Sequence, residues 1–267
     1  LGTDFVMGRK RVPRPAEGTT ACTTGWFLSD ILHRVAKKTP ERETMATKTT
    51  LRAEVRSRRR ARRTGTSTIE APFTSEFTPS PIPVRDRAEA EGLAHQIRTL
   101  ASSMGGVALP ALFAPTPLEP DMSLALGLFP RALLPVLLDE AGAPLGEPRW
   151  GLWEAGRALV TLGRPPAQPD GEVLGAESLK EADLIIIPAL AASVDGTRLG
   201  QGGGWYDRAL VHRRPGTPVV ATIFDDEVLE AGVIPAEPHD VPVDAIITPT
   251  RTIATNVRSA FFQRFSC

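Results

Sequence analysis

The apolar run Asp183-Leu184-Ile185-Ile186-Ile187-Pro188-Ala189-Leu190 leads through the polar turn Ser193-Val194-Asp195-Gly196-Thr197 into Arg198-Leu199-Gly200-Gln201-Gly202-Gly203-Gly204-Trp205-Tyr206-Asp207-Arg208. The first part is short, β-branched and stopped by Pro188, the pattern of a buried strand. The last part packs four glycines into five residues between Arg198 and Arg208. Without Cβ atoms, successive N–H groups of such a segment can converge on an anion. A phosphate-binding loop at the start of a helix is expected here. The plain alternative is a flexible turn beside a solvated arginine. The dinucleotide fingerprint does not apply, because its glycines follow the strand directly.

Composition sets outer limits. The chain has 267 residues, a formal net charge of +0 and 42% hydrophobic residues. That is enough for one sizeable core, and balanced charge gives no global pull toward nucleic acid or anionic lipid. Cys22 and Cys267 stand near opposite ends, so no disulfide framework or metal knuckle is suggested and a reducing, cytoplasmic setting is expected. The most apolar segment, Leu124 to Leu138, is broken by Pro130, Arg131 and Pro135, which argues against a membrane span. Residues 1–44 lack sustained periodicity, and Met45 opens a natural-looking start. Residues 1–44 are therefore expected to be a disordered or misassigned extension, 45–249 the domain proper, and 250–267 a tail in which Phe261-Phe262 can pack as a short helix.

Within that domain, Thr47 to Arg63 is helix-compatible and strongly basic. Lys48, Arg52, Arg56 and Arg60 are spaced by four and share a helical face. Taken alone, this face is solvated or an RNA-binding arm. Residues 64–84, rich in Ser, Thr and Pro, read as a loop. Arg85 to Met104 is amphipathic, with Leu93, Ile97, Leu100 and Met104 on one side, His95 on the other, and Gly105-Gly106 as its stop. Val107–Ala114, Leu133–Leu138, Trp150–Trp153, Ala158–Val160 and Pro218–Ile223 read as strands, and Asp139–Pro144 as a hairpin-like turn. Asp225-Asp226-Glu227 opens a short helix with acids in its first turn.

The string from Pro188 to Arg208 resembles the signature of the 5-formyltetrahydrofolate cyclo-ligase (5,10-methenyltetrahydrofolate synthetase) family. Two further segments resemble the same family in the same order. Lys48-Thr49-Thr50-Leu51-Arg52 matches its opening Lys-x-x-Leu-Arg pattern, in which Arg follows Lys by four. His239-Asp240, then Val243-Asp244 and Ile246-Ile247-Thr248, match its close. The resemblance implies a three-layer α/β/α fold with a mainly parallel sheet, of the CoA-transferase-like kind, in agreement with the alternation of strands and helices. It implies a monomeric ligase (EC 6.3.3.2) that uses ATP, with Mg2+, to cyclise a reduced folate, and no membrane or nucleic-acid partner.

Site roles follow from the same resemblance. Gly200, Gln201, Gly202, Gly203 and Gly204 would hold ATP phosphates, with Lys48, Arg52 and Arg198 as cations and Trp205 and Tyr206 beside them. Glu119, in Glu119-Pro120-Asp121-Met122, would contact the pterin, where a carboxylate suits an N–H edge. Met122 replaces the usual Thr. Tyr206 would offer its hydroxyl to the formyl group, with Trp205 supplying an aromatic face and Arg52 serving both substrates. Asp207 and Asp240 would carry the metal. Gln168-Pro169 stands in place of the family's Glu-Pro, and Gln168 is given no catalytic role. Three other readings compete: an α/β protein that binds a phosphorylated sugar or acyl-CoA without ATP, a non-catalytic folate- or nucleotide-binding homologue, and an RNA-binding protein using the basic helix.

Overall fold

In Leu184-Ile185-Ile186-Ile187, successive side chains fall on opposite faces of a strand. Leu184 and Ile186 join Leu93, Ile97 and Leu134 in one core, while Ile185 and Ile187 join Leu179, Ala209 and Leu210 in another. All four are buried. Full burial of such side chains stabilises a fold by roughly 1.5–3 kcal/mol each. The continuous apolar run thus marks a strand covered on both faces, as the centre of a layered α/β sheet requires.

The computed structural model describes residues 47–64, 82–163 and 165–256. The expectations for residues 1–44 and for Phe261-Phe262, and most of the 64–84 loop, lie outside them. The helices are α1 (Lys48–Thr64), α2 (Arg87–Ser103), α3 (Ser123–Leu126) and α4 (Trp205–Leu210). The main sheet contains β1 (Pro110–Ala111), β2 (Arg131–Leu138), β3 (Pro144–Glu154), β4 (Val173–Leu174), β5 (Leu184–Pro188), β6 (Val219–Thr222), β7 (Ala245–Ile247) and β8 (Thr252–Ala254). Their spatial order is β8-β7-β6-β5-β1-β2-β3-β4. The five strands from β7 to β2 are mutually parallel, and antiparallel strands close both edges. Helices α2 and α3 pack on one face, and α4 with the 3-10 helix Ala176–Glu181 on the other. The expected three layers are present.

Helix α2 forms where the periodicity predicts. Asp86 caps it by accepting from the Glu89 N–H at 3.1 Å, and its apolar side is buried. Its stop falls at Gly105, whose φ of 82° is left-handed. The strand expected over Val107–Ala114 pairs only at Pro110 and Ala111. Proline has no N–H to donate, and Ala108 and Leu109 donate instead to the carboxylate of Asp183. The expected turn after β2 is built on Asp139, whose side chain accepts from Ala141 and Ala143.

The crossover from β5 to β6 carries the organising stretch. After Pro188 the chain makes a hairpin, Ala191–Ser193 with Arg198–Leu199, which Val228–Leu229 extends to a small second sheet. Its turn is tightened by Asp195, which accepts from Thr197, and by Gly196 at φ 91°. This hairpin is why the glycines come about a dozen residues after the strand. Helix α1 packs on the small sheet through Leu51 and Val55, against Leu190, Ala191, Leu199 and Ile234. Its position brings the basic residues of α1 to the glycine loop.

Candidate active site

A cleft of about 400 Å³ opens beyond the carboxyl ends of β1 and β5, where open α/β sheets receive ligands. Phe113, Ala114 and Thr116 line it after β1, Pro188 after β5, and Gly200 to Asp207 from the crossover. Lys48 and Arg52 enter from α1, and Glu237, His239 and Asp240 from the segment before β7. Several stretches widely separated in sequence therefore meet at one cavity.

Most of the basic side of α1 has partners inside the chain. Lys48 Nζ contacts Asp240 at 2.6 Å and Glu237 at 3.0 Å, and Arg52 Nε donates to the Gly200 carbonyl at 3.0 Å. Arg56 donates to the backbone and side-chain oxygens of Gln201. Arg62 pairs with Asp226, and Arg63 with Glu89. Arg59 is 1% exposed and Glu227 0%, and they form a two-pronged pair with both contacts at 2.7 Å. The Arg59 guanidinium also donates to the Ala189 carbonyl at 2.6 Å, which ties α1 to the end of β5. Arg60 shares the predicted face but stays exposed, so that face reaches the cleft only as far as Arg52 and the outside of the glycine loop at Arg56. Much of the basic surface of this helix is thus committed to contacts within the chain.

In the glycine loop, Gly202 has φ 101° and Gly204 φ 64°, a region L side chains rarely enter. A Cβ on Gly202 would also meet Arg52 Nε at 3.5 Å. The N–H groups of Gly202, Gly203 and Gly204 have no acceptor among the described residues. Arg198 is 6% exposed; its guanidinium donates to the Val241 carbonyl and pairs with Asp207 Oδ1. The Gln201 side chain is held by Arg56.

Glu119 and Tyr206 also line the cleft. Glu119 is 5% exposed, and its Oε2 accepts from the Thr116 N–H at 2.8 Å. Its neighbour Asp121 is fully buried and accepts from Arg85, Asp86 and Ser123, which makes it a structural staple. Tyr206 is half-buried beside the cleft. Burial, then the charge of Glu119, push its hydroxyl well above the usual tyrosine range, with Arg198 opposing. The hydroxyl is thus a proton donor at neutral pH. Trp205 packs edge-on to Trp150 with centroids 5.2 Å apart, so much of its face serves the core. Gln168 lies in the core, clamping the Leu137 and Leu138 N–H groups and the Leu138 carbonyl.

Asp207 and Asp240 line the same cleft but do not form one preformed metal cluster. Among the described residues, the group of three potential ligands within 4.8 Å of one another is Glu237, His239 and Asp240. Of the Asp207 oxygens, only Oδ1 has a partner among the described residues. Burial alone would raise Asp240, but the hydrogen bond from Lys48, the Glu237 N–H and the charges of Lys48 and His239 hold it below the usual range. Burial would lower Lys48, but Asp240 and Glu237 outweigh it and raise the ammonium.

The Asp240 stabilisation is present above the unfolded value of about 3.9 and fades as pH falls through the lower folded value. The Lys48 stabilisation is present below about 10.4 and fades only above that. Asp240→Asn is therefore expected to be less stable than the wild type in urea at pH 7, with the gap closing below about pH 4. A gap that does not narrow as pH is lowered below about 4 would show that the carboxylate charge is not what joins α1 to this segment.

Four residues of this neighbourhood are not recognisable from the sequence reading. Glu237 grips Lys48, Arg59 and Glu227 fix α1, and Arg208 donates to the Gly203 carbonyl at 3.0 Å. Their sequence separations are too large or their types too common to signal pairing. The one available cue is that Arg59 is flanked by basic residues yet lies only four residues from the apolar Val55.

Fold and site together define a three-layer α/β protein with a cation-lined glycine loop, in a cleft that combines basic side chains with carboxylates. The chain belongs to the 5-formyltetrahydrofolate cyclo-ligase family, whose sequence profile matches residues 112–249. It is 45% identical over 134 residues to the 5-formyltetrahydrofolate cyclo-ligase of Mycolicibacterium smegmatis, covering 50% of this chain and 66% of that protein. It is 34% identical over 106 residues to the mitochondrial 5-formyltetrahydrofolate cyclo-ligase of Arabidopsis thaliana, covering 35% and 38%. The alignments thus span less than two thirds of either relative. The NMR structure of Aquifex aeolicus 5,10-methenyltetrahydrofolate synthetase shares the fold at a TM-score of 0.53 and 21% identity, over 77% of this chain and 93% of that one. Among the described residues, no helix is long and apolar enough to cross a membrane.

Proposed function

We propose that the chain is an ATP-dependent ligase converting 5-formyltetrahydrofolate to 5,10-methenyltetrahydrofolate, with residues 45–249 as its catalytic domain. The formyl oxygen attacks the γ-phosphorus of ATP, and ADP leaves with the bond electrons. N10 of the folate then attacks the activated formyl carbon, loses its proton, and phosphate departs as the ring closes. One observation carries this reading: Lys48 and Arg52, the glycine loop, Glu119 and Tyr206, and Asp207 and Asp240 all line a single cleft. A glycine loop flanked by cations and a carboxylate close to a phenol, lining one cleft, suit a triphosphate next to a pterin.

The glycine N–H groups, Lys48, Arg52 and Arg198 would neutralise the phosphates, since positioning and charge stabilisation dominate phosphoryl transfer. Tyr206, protonated at neutral pH, would donate to the formyl oxygen and orient it. The free Glu119 oxygen would accept from the pterin. Mg2+ prefers carboxylates together with phosphate oxygens; Asp207 and Asp240 would hold it, where it supplies charge neutralisation. The working unit in this reading is a cytoplasmic monomer with ATP and reduced folate as its ligands.

The deciding assay follows methenyltetrahydrofolate absorbance with 5-formyltetrahydrofolate, ATP and Mg2+. Absorbance should grow only when all three are present. A flat trace from folded protein would overturn the proposal.

A further inference from the structure

Three arginines each hold one carbonyl of the glycine loop. Arg52 takes Gly200 at 3.0 Å, Arg56 takes Gln201 at 2.7 Å, and Arg208 takes Gly203 at 3.0 Å. Arg56 and Arg208 do not line the cleft, whereas the loop they grip does. These peptides are trans, and in a planar trans peptide the N–H points opposite to the C=O. Pulling the Gln201 and Gly203 carbonyls outward therefore turns the N–H groups of Gly202 and Gly204 the other way. Those groups have no acceptor among the described residues. The two residues whose N–H groups are turned in this way are also the two with positive φ. A loop free of side chains would sample many such orientations, so something must select this one.

We propose that Arg56 and Arg208 are positioning residues that preorganise the loop for a polyphosphate by fixing its carbonyls, without touching the ligand. The inference rests on the glycine loop being the ATP-phosphate site. Arg56 is bound from two sides, because Gln201 also presents Oε1 to its Nε at 3.2 Å and to its Nη2 at 3.0 Å. Gln201 thus works through Arg56. Holding the donors in place before binding removes an ordering cost from the binding step.

Arg56→Met and Arg208→Met keep the aliphatic length and remove the donors. Both sites are at least partly exposed, so thermal unfolding should show a folded chain. ATP affinity is measured by calorimetry at two salt concentrations, and backbone amide NMR spectra are recorded on the ligand-free protein. Each variant should weaken ATP binding roughly 5- to 10-fold, the loss of about one oriented hydrogen bond. The salt dependence should match the wild type, and the Gly202 and Gly204 amide resonances should move before nucleotide is added. Unchanged affinity would overturn the inference. So would weaker binding with a shallower salt dependence and unmoved ligand-free amides, since that describes direct charge contact. A wild-type chain that binds no ATP would overturn the phosphate-loop reading itself, and this inference with it.

Discussion

Arg59→Ala is expected to destabilise the folded chain by about 3–5 kcal/mol, because it strands the fully buried carboxylate of Glu227. Glu227 would retain the Phe224 N–H at 2.9 Å and only a long contact to Arg62 at 3.9 Å. The carbonyls of Ala189 and Leu190 would lose their guanidinium donor at the same time. For a domain of this size the loss corresponds to a melting-temperature drop of very roughly 6–20 °C. Arg149→Ala is the contrasting case. Its partner Glu147 lies 3.5 Å away with the pair 39% and 78% exposed, and removing it should change stability by less than about 1 kcal/mol. The pairing is tested further by Arg59→Met combined with Glu227→Leu, which should cost less than either single change. Additive losses would mean that the buried charges are not coupled. A destabilisation by Arg59→Ala no larger than that of Arg149→Ala would remove the clamp from the account of how α1 is held.

The clamp also shows where sequence reading stops. The run at Leu184–Ile187 gives its strand away, because burial on both faces writes itself as continuous apolar sequence. The α2 stripe is equally legible, since helical period and cap agree. Arg59 belongs to a basic helix in which one arginine is buried and its neighbours are not, and composition alone does not separate them. That distinction depends on Glu227, 168 residues away. The same holds at the cleft. The family resemblance brings Lys48, Arg198, Asp207 and Asp240 to one place, and they do line one cavity. It does not say that Lys48 grips Asp240 or that Arg198 grips Asp207. Such pairs depend on the distance at which α1 and the segment before β7 stand from the hairpin and loop that follow β5. A short motif carries no information on that distance.

The Arg198–Asp207 pair sets the terms of the second large effect. Asp207→Asn should reduce turnover by at least about 10²-fold, the usual scale for removing one preorganised electrostatic group from an active site. The substitution keeps an oxygen that can accept from Arg198, while Arg198 keeps the Val241 carbonyl. The guanidinium, only 5% exposed, is therefore not left without acceptors, and the fold should survive with a modest loss. Asp207→Ala removes that acceptor too, so it should match the Asn variant in turnover but fall below it in stability, because an unpaired buried cation is costly. Affinity for the folate, measured without ATP, should change little in the Asn variant if Asp207 faces the phosphates rather than the pterin. Glu119→Gln should show the reverse pattern, with weakened folate binding. Single-turnover absorbance growth, together with urea unfolding of the three variants, separates these outcomes. Wild-type turnover in Asp207→Asn would exclude Asp207 from the phosphoryl-transfer step and leave it as the partner of the buried Arg198 alone.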